Sequence, residues 1–165
     1  MPTDDFWVDA APFRAHLQRL VEHSGLPVPV VALAAGIEPA TARRVATPQP
    51  RHRDRMRCQD ARALLATTPE QLDGLARRQV RSAPARRLVT RMRAGGASSA
   101  WIAQQAGVDR LVVEQLRAGA VEWVSELTQL RLHALDEQLA RARHRAAGRP
   151  PARIPAMSTP RPDAA

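Results

Sequence analysis

At 165 residues the chain is long enough for one ordinary domain or two very small ones. Its formal net charge of +9 and hydrophobic content of 44% point to a globular protein with an anionic partner, nucleic acid first and a membrane surface second. A single cysteine, Cys58, excludes an intramolecular disulfide and a cysteine-rich metal site, and no apolar run approaches the roughly 18 residues of a membrane span. The acidic start, MPTDDFWVDA, has no apolar signal core, so the expected location is the cytoplasm, at the nucleoid. All 25 basic residues are Arg, the usage that GC-rich coding produces; Arg pairs bidentately with phosphate and guanine. Richness in Ala, Leu, Arg, Glu and Gln without β-branched alternation predicts an all-α fold.

In chain order, residues 1–8 are expected to fray. Asp9 and Pro12 start a helix running to about His23, with Phe13, Leu17, Leu20 and Val21 facing inward and Ser24-Gly25 ending it. A short helix then follows Pro27 and Pro29, which are tolerated only in a loop and first turn. A second short helix is expected over Pro39–Ala46, with Ala42 and Val45 inward. The arginine-rich loop PQPRHRDRMRC leads to a helix from about Gln59 to Ala66, with Ala61, Leu64 and Leu65 inward. Thr68-Pro69-Glu70 restarts a helix reaching about Arg78. Ser82-Ala83-Pro84 is the expected boundary between halves. Beyond it lie helices over about Ala85–Ala94, from Ser98 or Ser99 through Trp101, and over Arg110–Arg117. A long helix from Val121 to about Ala147 should bury Trp123, Val124, Leu127, Leu130, Ala134 and Leu135. The Pro/Arg-rich tail, residues 148–165, is expected to be disordered.

The chain repeats itself. Shifted by 71 residues, Gly25–Ala46 lies on Gly96–Arg117 without a gap: Ala32 on Ala103, Ala35 on Ala106, Gly36 on Gly107, Ile37 on Val108, Glu38 on Asp109 and Val45 on Leu116. Downstream, Glu70-Gln71-Leu72 lies on Glu137-Gln138-Leu139 after a four-residue shift. The matching residues are those a steep helix crossing requires: a small residue at the contact, Gly at the bend, an acid to cap the next helix. The expected architecture is therefore two tandem helix-turn-helix units, residues 10–80 and 84–147, the second with the long C-terminal helix, followed by the tail.

Charge is uneven along the chain: +4 over residues 36–62, +7 over 77–93, −3 over 96–140 and +5 over 141–165. The expected base-reading residues are Thr41, Arg43, Arg44 and Thr47 on the second helix of the first unit, with Arg110 and Gln115 on the equivalent helix of the second. The expected phosphate contacts are Arg51, Arg53, Arg55, Arg57, Arg77, Arg78, Arg81, Arg86 and Arg87. The acidic second unit is alternatively a protein-docking surface. Five scattered His lack partners at metal-ligand spacing; no phosphate loop, nucleophile motif or paired-carboxylate site emerges, and no cofactor is expected.

Trp101-Ile102-Ala103-Gln104-Gln105-Ala106-Gly107-Val108 resembles the "I-A-x-x-A-G-V" corner of small helix-turn-helix proteins of actinobacteria and their phages. Val31-Ala32-Leu33-Ala34-Ala35-Gly36-Ile37 and Ala63-Leu64-Leu65-Ala66-Thr67-Thr68-Pro69 follow more loosely. The resemblance covers about residues 14–139 and implies DNA binding and transcription control, as a host regulator or prophage-type repressor; the expected partner is double-stranded DNA, bound by a monomer or homodimer. The departures are the Pro-rich start of the first unit and the acidic face of the second. The expectation is a non-enzymatic, sequence-selective DNA-binding protein reading the major groove chiefly through the first unit, with a protein-interaction adaptor as the alternative.

Overall fold

The computed structural model describes residues 6–47 and 55–147. Arg51, Arg53 and the Pro/Arg-rich tail lie outside the described residues. Helices dominate, and two short ribbons frame them. The first unit runs β1 (Trp7–Asp9), α1 (Ala11–Ser24), α2 (Val28–Ala34), α3 (Pro39–Ala46), β2 (Arg55–Arg57), α4 (Cys58–Ala66) and α5 (Pro69–Gly74). The second runs β3 (Gln79–Arg81), α6 (Ala83–Ala94), α7 (Ser99–Ala106), α8 (Arg110–Ala118), β4 (Trp123–Ser125) and α9 (Glu126–Ala147). In each, the strand before the first helix pairs antiparallel with the strand after the third: Val8 opposite Met56, Val80 opposite Val124.

The corners repeat bond for bond. Gly36 and Gly107 take φ of 73° and 64°, a left-handed conformation that costs glycine no Cβ clash. The residue after each, Ile37 or Val108, donates its N–H to the carbonyl of Ala32 or Ala103, five residues back in both cases. Asp109 caps α8 through the Leu111 N–H at 2.7 Å, and Ser98 caps α7 through the Trp101 N–H at 3.1 Å. In the first unit Pro27 and Glu38 occupy the corresponding positions and form no side-chain cap; a Pro within the first two positions starts each helix instead.

Each unit has its own aliphatic core. Leu17, Leu20, Val31, Val45, Met56 and Leu64 centre the first; Val89, Met92, Ile102, Val113, Leu116 and Leu132 centre the second. α9 joins them. Leu127, Leu130 and Ala134 pack on the first core, while Leu132, Leu135 and Leu139 pack on the second. Both sets have the i, i+3, i+7 spacing of a helical stripe, so one helix carries two apolar faces. Its start is tied down by the Glu126 N–H to the Arg78 carbonyl at 2.8 Å and the Leu127 N–H to the Leu75 carbonyl at 3.1 Å.

Several expectations change. Trp7–Asp9 forms a strand rather than a frayed end. Trp123–Ser125 is also a strand, not helix: Val124 is buried, Trp123 is exposed, and Ser125 accepts the Thr128 N–H at 3.1 Å to start α9. The helix expected to reach Arg78 ends at Gly74, because Gln79–Arg81 is taken by the ribbon. The change between units thus precedes Gln79, and Ser82-Ala83-Pro84 opens α6 instead of separating the halves. Leu65 is exposed rather than inward, since α4 buries the stripe through Ala61 and Leu64. The α4–α5 break, where α9 continues unbroken, follows from Pro69, which cannot prolong a helix, and from the Thr68–Gln71 capping box. Under the four-residue shift Asp136 stands where Pro69 would fall.

Because α9 completes both cores, the two units should unfold together. Scanning calorimetry is expected to give one transition, and Leu132→Ala to lower stability by about 2–5 kcal/mol without splitting it. Two resolved transitions would contradict the shared-helix architecture.

Candidate nucleic-acid interface

Three of the seven arginines in the basic run 77–93 pair with carboxylates of the same chain. Arg78 pairs with Glu126 at 2.9 Å and Arg91 with Asp136 at 3.2 Å, and Arg81 pairs with Glu122 while its guanidinium lies 4.2 Å from the Trp123 ring centroid. Within the acidic stretch 96–140, Glu114 pairs with Arg117 and Glu137 with Arg141, and Asp109 caps α8. The −3 count along the sequence therefore does not describe a bare acidic face. Arg77, Arg86 and Arg87 are exposed and have no acidic partner among the described residues. Arg86 projects beside Gly119 at the end of α8.

The α8 side of the second unit is open. Arg93, Ser98, Ser99, Arg110, Glu114 and Arg117 line a shallow concavity of about 390 Å³ where the end of α6, the start of α7 and the outer face of α8 meet. Three guanidinium groups face one carboxylate there. Hydrogen bonds from Arg117 first and Ser99 second hold the Glu114 carboxyl below its usual range. The first turn of α7, whose leading amides have no intrahelical acceptor, lies on the rim. Arg110 and Leu111 are exposed, Leu111 at 62%, and Gln115 is half-buried.

The first unit presents its equivalent surface differently. Pro27, Val28 and Pro29 occupy the positions of Ser98, Ser99 and Ala100, so two of the three carry no N–H. That end of α2 faces Gln104–Gly107 and α9 across a cavity of about 330 Å³. On α3, Arg44 and Thr47 are exposed, Thr41 and Arg43 half-buried. Burial pushes the Arg43 pKa down, and the Arg141 guanidinium pushes it further; Glu137 offsets part of this and Arg145 adds to it. Arg43 is thus half-buried with the Arg141 guanidinium of α9 as a like-charged neighbour, while Arg44 beside it is exposed. Arg55 and Arg57 sit exposed on β2, with Arg57 6.0 Å from the Trp7 ring centroid.

Arg93, Arg117 and the Ser98–Ser99 pair did not emerge from sequence patterns as a group. The signal was present in the 71-residue shift, which sets Ser98 against Pro27, but their convergence depends on three helices meeting. Among the described residues no three His, Cys, Asp or Glu side chains come together as a metal site, and no helix is long and apolar enough to cross a membrane. Comparison with protein-family models, curated proteins and solved structures finds no match for this chain.

Asp136 is the most buried of the paired carboxylates, with 9% of its side chain exposed. Arg91→Ala should leave it unpaired and cost about 1–3 kcal/mol in urea unfolding. Adding Asp136→Asn should restore part of that loss; an unchanged Arg91→Ala midpoint would show that the pair carries no stability.

Proposed function

We propose that this protein is a non-enzymatic, sequence-selective double-stranded-DNA-binding protein, a transcriptional regulator or prophage-type repressor. Its two units act as tandem helix-turn-helix modules built on α2–α3 and α7–α8. The observation that carries this reading is the open concavity where Arg93, Arg110 and Arg117 converge with the first turn of α7. Helix N-termini and Arg forks are the groups that hold DNA phosphates, and the exposed start of a following helix is the part that reaches base edges.

On this reading α8 is the principal reader: Arg110 offers a guanine contact, Gln115 an adenine contact and Leu111 an apolar surface for a thymine methyl. Arg93 neutralises phosphates alongside, and Arg117 does so once it leaves Glu114. The first unit contributes Arg44 and Thr47, with Arg43 restrained by α9. This shifts the weight from the first unit, favoured by linear charge, to the second, favoured by open geometry. Arg77, Arg86 and Arg87 remain available for phosphates, whereas Arg78 and Arg81 must first leave Glu126 and Glu122. The all-Arg composition and the +9 net charge support the same partner.

The test is a titration of labelled genomic fragments and random duplex over a salt series. Arg110→Ala should cost about 1–3 kcal/mol on the selected site and relax its sequence preference; Arg93→Ala should weaken all duplexes alike and reduce the salt slope by about one. Arg44→Ala should relax preference less than Arg110→Ala. Weak binding that random competitor erases, unaffected by either substitution, would instead favour a protein partner on the exposed Leu111 face.

A further inference from the structure

The aromatic residues of this chain lie mostly outside its cores. It has two Phe, three Trp and no Tyr. Phe6 is 68% exposed, Trp7 50%, Trp123 48% and Trp101 37%; only Phe13 packs partly against a core. Large rings usually supply buried contact area, so two adjacent rings left in solvent need a reason.

Phe6 and Trp7 are those two, and their backbone is held. The Cys58 N–H donates to the Phe6 carbonyl at 2.8 Å, extending the β1–β2 pairing one residue past Trp7. Alternation turns Val8 and Met56 inward and sends Trp7, Asp9, Arg55 and Arg57 outward. Asp9, the only carboxylate in the paired strands, accepts the Ala11 N–H at 2.9 Å and stands opposite Arg55, so the outward face keeps a net positive charge. Arg55 and Arg57 have no acidic partner among the described residues, and Arg57 lies near the Trp7 ring. The second ribbon makes the contrast. It also sets a Trp opposite an Arg, Trp123 and Arg81, with the residue types exchanged between strands, but there Glu122 neutralises the Arg.

We infer that the outward face of the first ribbon is a second DNA-contacting surface, separate from α8. The Trp7 ring packs on the sugars and base edges of a minor groove while Arg55 and Arg57 hold the flanking phosphates. This rests on the reading of the chain as a DNA-binding protein. The chemistry favours a duplex groove because its walls are apolar deoxyribose edges with anionic oxygens at both rims. That pattern matches an indole beside two guanidinium groups, and apolar side chains next to Arg are a recurring minor-groove device.

A full-length Trp101→Phe/Trp123→Phe variant leaves Trp7 as the sole indole. It is titrated with sonicated genomic DNA and, separately, with phosphatidylglycerol/phosphatidylcholine vesicles, following emission together with anisotropy of a labelled duplex. Trp7 emission should be quenched by DNA and unchanged by vesicles. Trp7→Ala in the parent chain should weaken duplex binding about tenfold. Arg55→Gln/Arg57→Gln, at exposed positions that leave the strand pairing intact, should weaken binding and flatten its salt dependence. Duplex binding with unchanged Trp7 emission and no effect of either variant overturns the ribbon surface and leaves α8 as the reader. Absence of any duplex binding overturns both. A Trp7 blue shift on vesicles but not on DNA overturns the ribbon surface in favour of a membrane contact.

Discussion

The structure depends on α9 burying two apolar stripes at once. A unit of this size holds too little apolar surface to be comfortably stable alone. Leu127, Leu130 and Ala134 give the first core its last wall, and Leu132, Leu135 and Leu139 do the same for the second. The sharing fixes more than stability. It sets how the two units face one another, and it brings the Arg141 guanidinium of α9 near enough to half-buried Arg43 to act on its charge. The same packing that holds the first unit in place restricts the surface that unit has available for another molecule.

Electrostatics follows from this arrangement rather than from linear charge. The arginines of 77–93 and the acids of 114–137 look like separate basic and acidic blocks along the chain. Folding interleaves them: α6 lies against α9 and the ribbon brings Arg81 to Glu122, so Arg78, Arg81 and Arg91 find carboxylates. The positive groups without such partners among the described residues include Arg77, Arg86, Arg87 and Arg93 of the same run, Arg110 at the start of α8, and Arg55 and Arg57 on the first ribbon. The two units thus differ in chemistry at positions that the 71-residue shift sets against each other. Ser98 at the start of α7 caps and leaves amides at the rim, whereas Pro27 and Pro29 at the start of α2 remove donors.

Much of the helical framework was legible because the determining signals are local. Pro39 opens α3, Gly25, Gly107 and Gly119 take left-handed conformations at helix ends, and the 71-residue shift identifies the corner twice. The ribbons were not legible. Three-residue strands such as WVD and RMR are too short for alternation to stand out, and their partners lie some 45 residues away in the chain. Trp123 and Val124 happen to continue the α9 spacing, so periodicity read them as helix. For the candidate site, individual arginines could be named but not their company. Nothing local in the sequence says that Arg81 meets Glu122 while Arg93 meets Arg110 and Arg117, because those choices are made by helix packing.

An interior built from Leu, Val, Ile, Ala and Met, with every tryptophan at least a third exposed, has an optical consequence. Indole emission from this protein reports on its perimeter. Contact with another molecule will register strongly in that signal, while melting of the aliphatic centre will register weakly and belongs to amide-based spectroscopy.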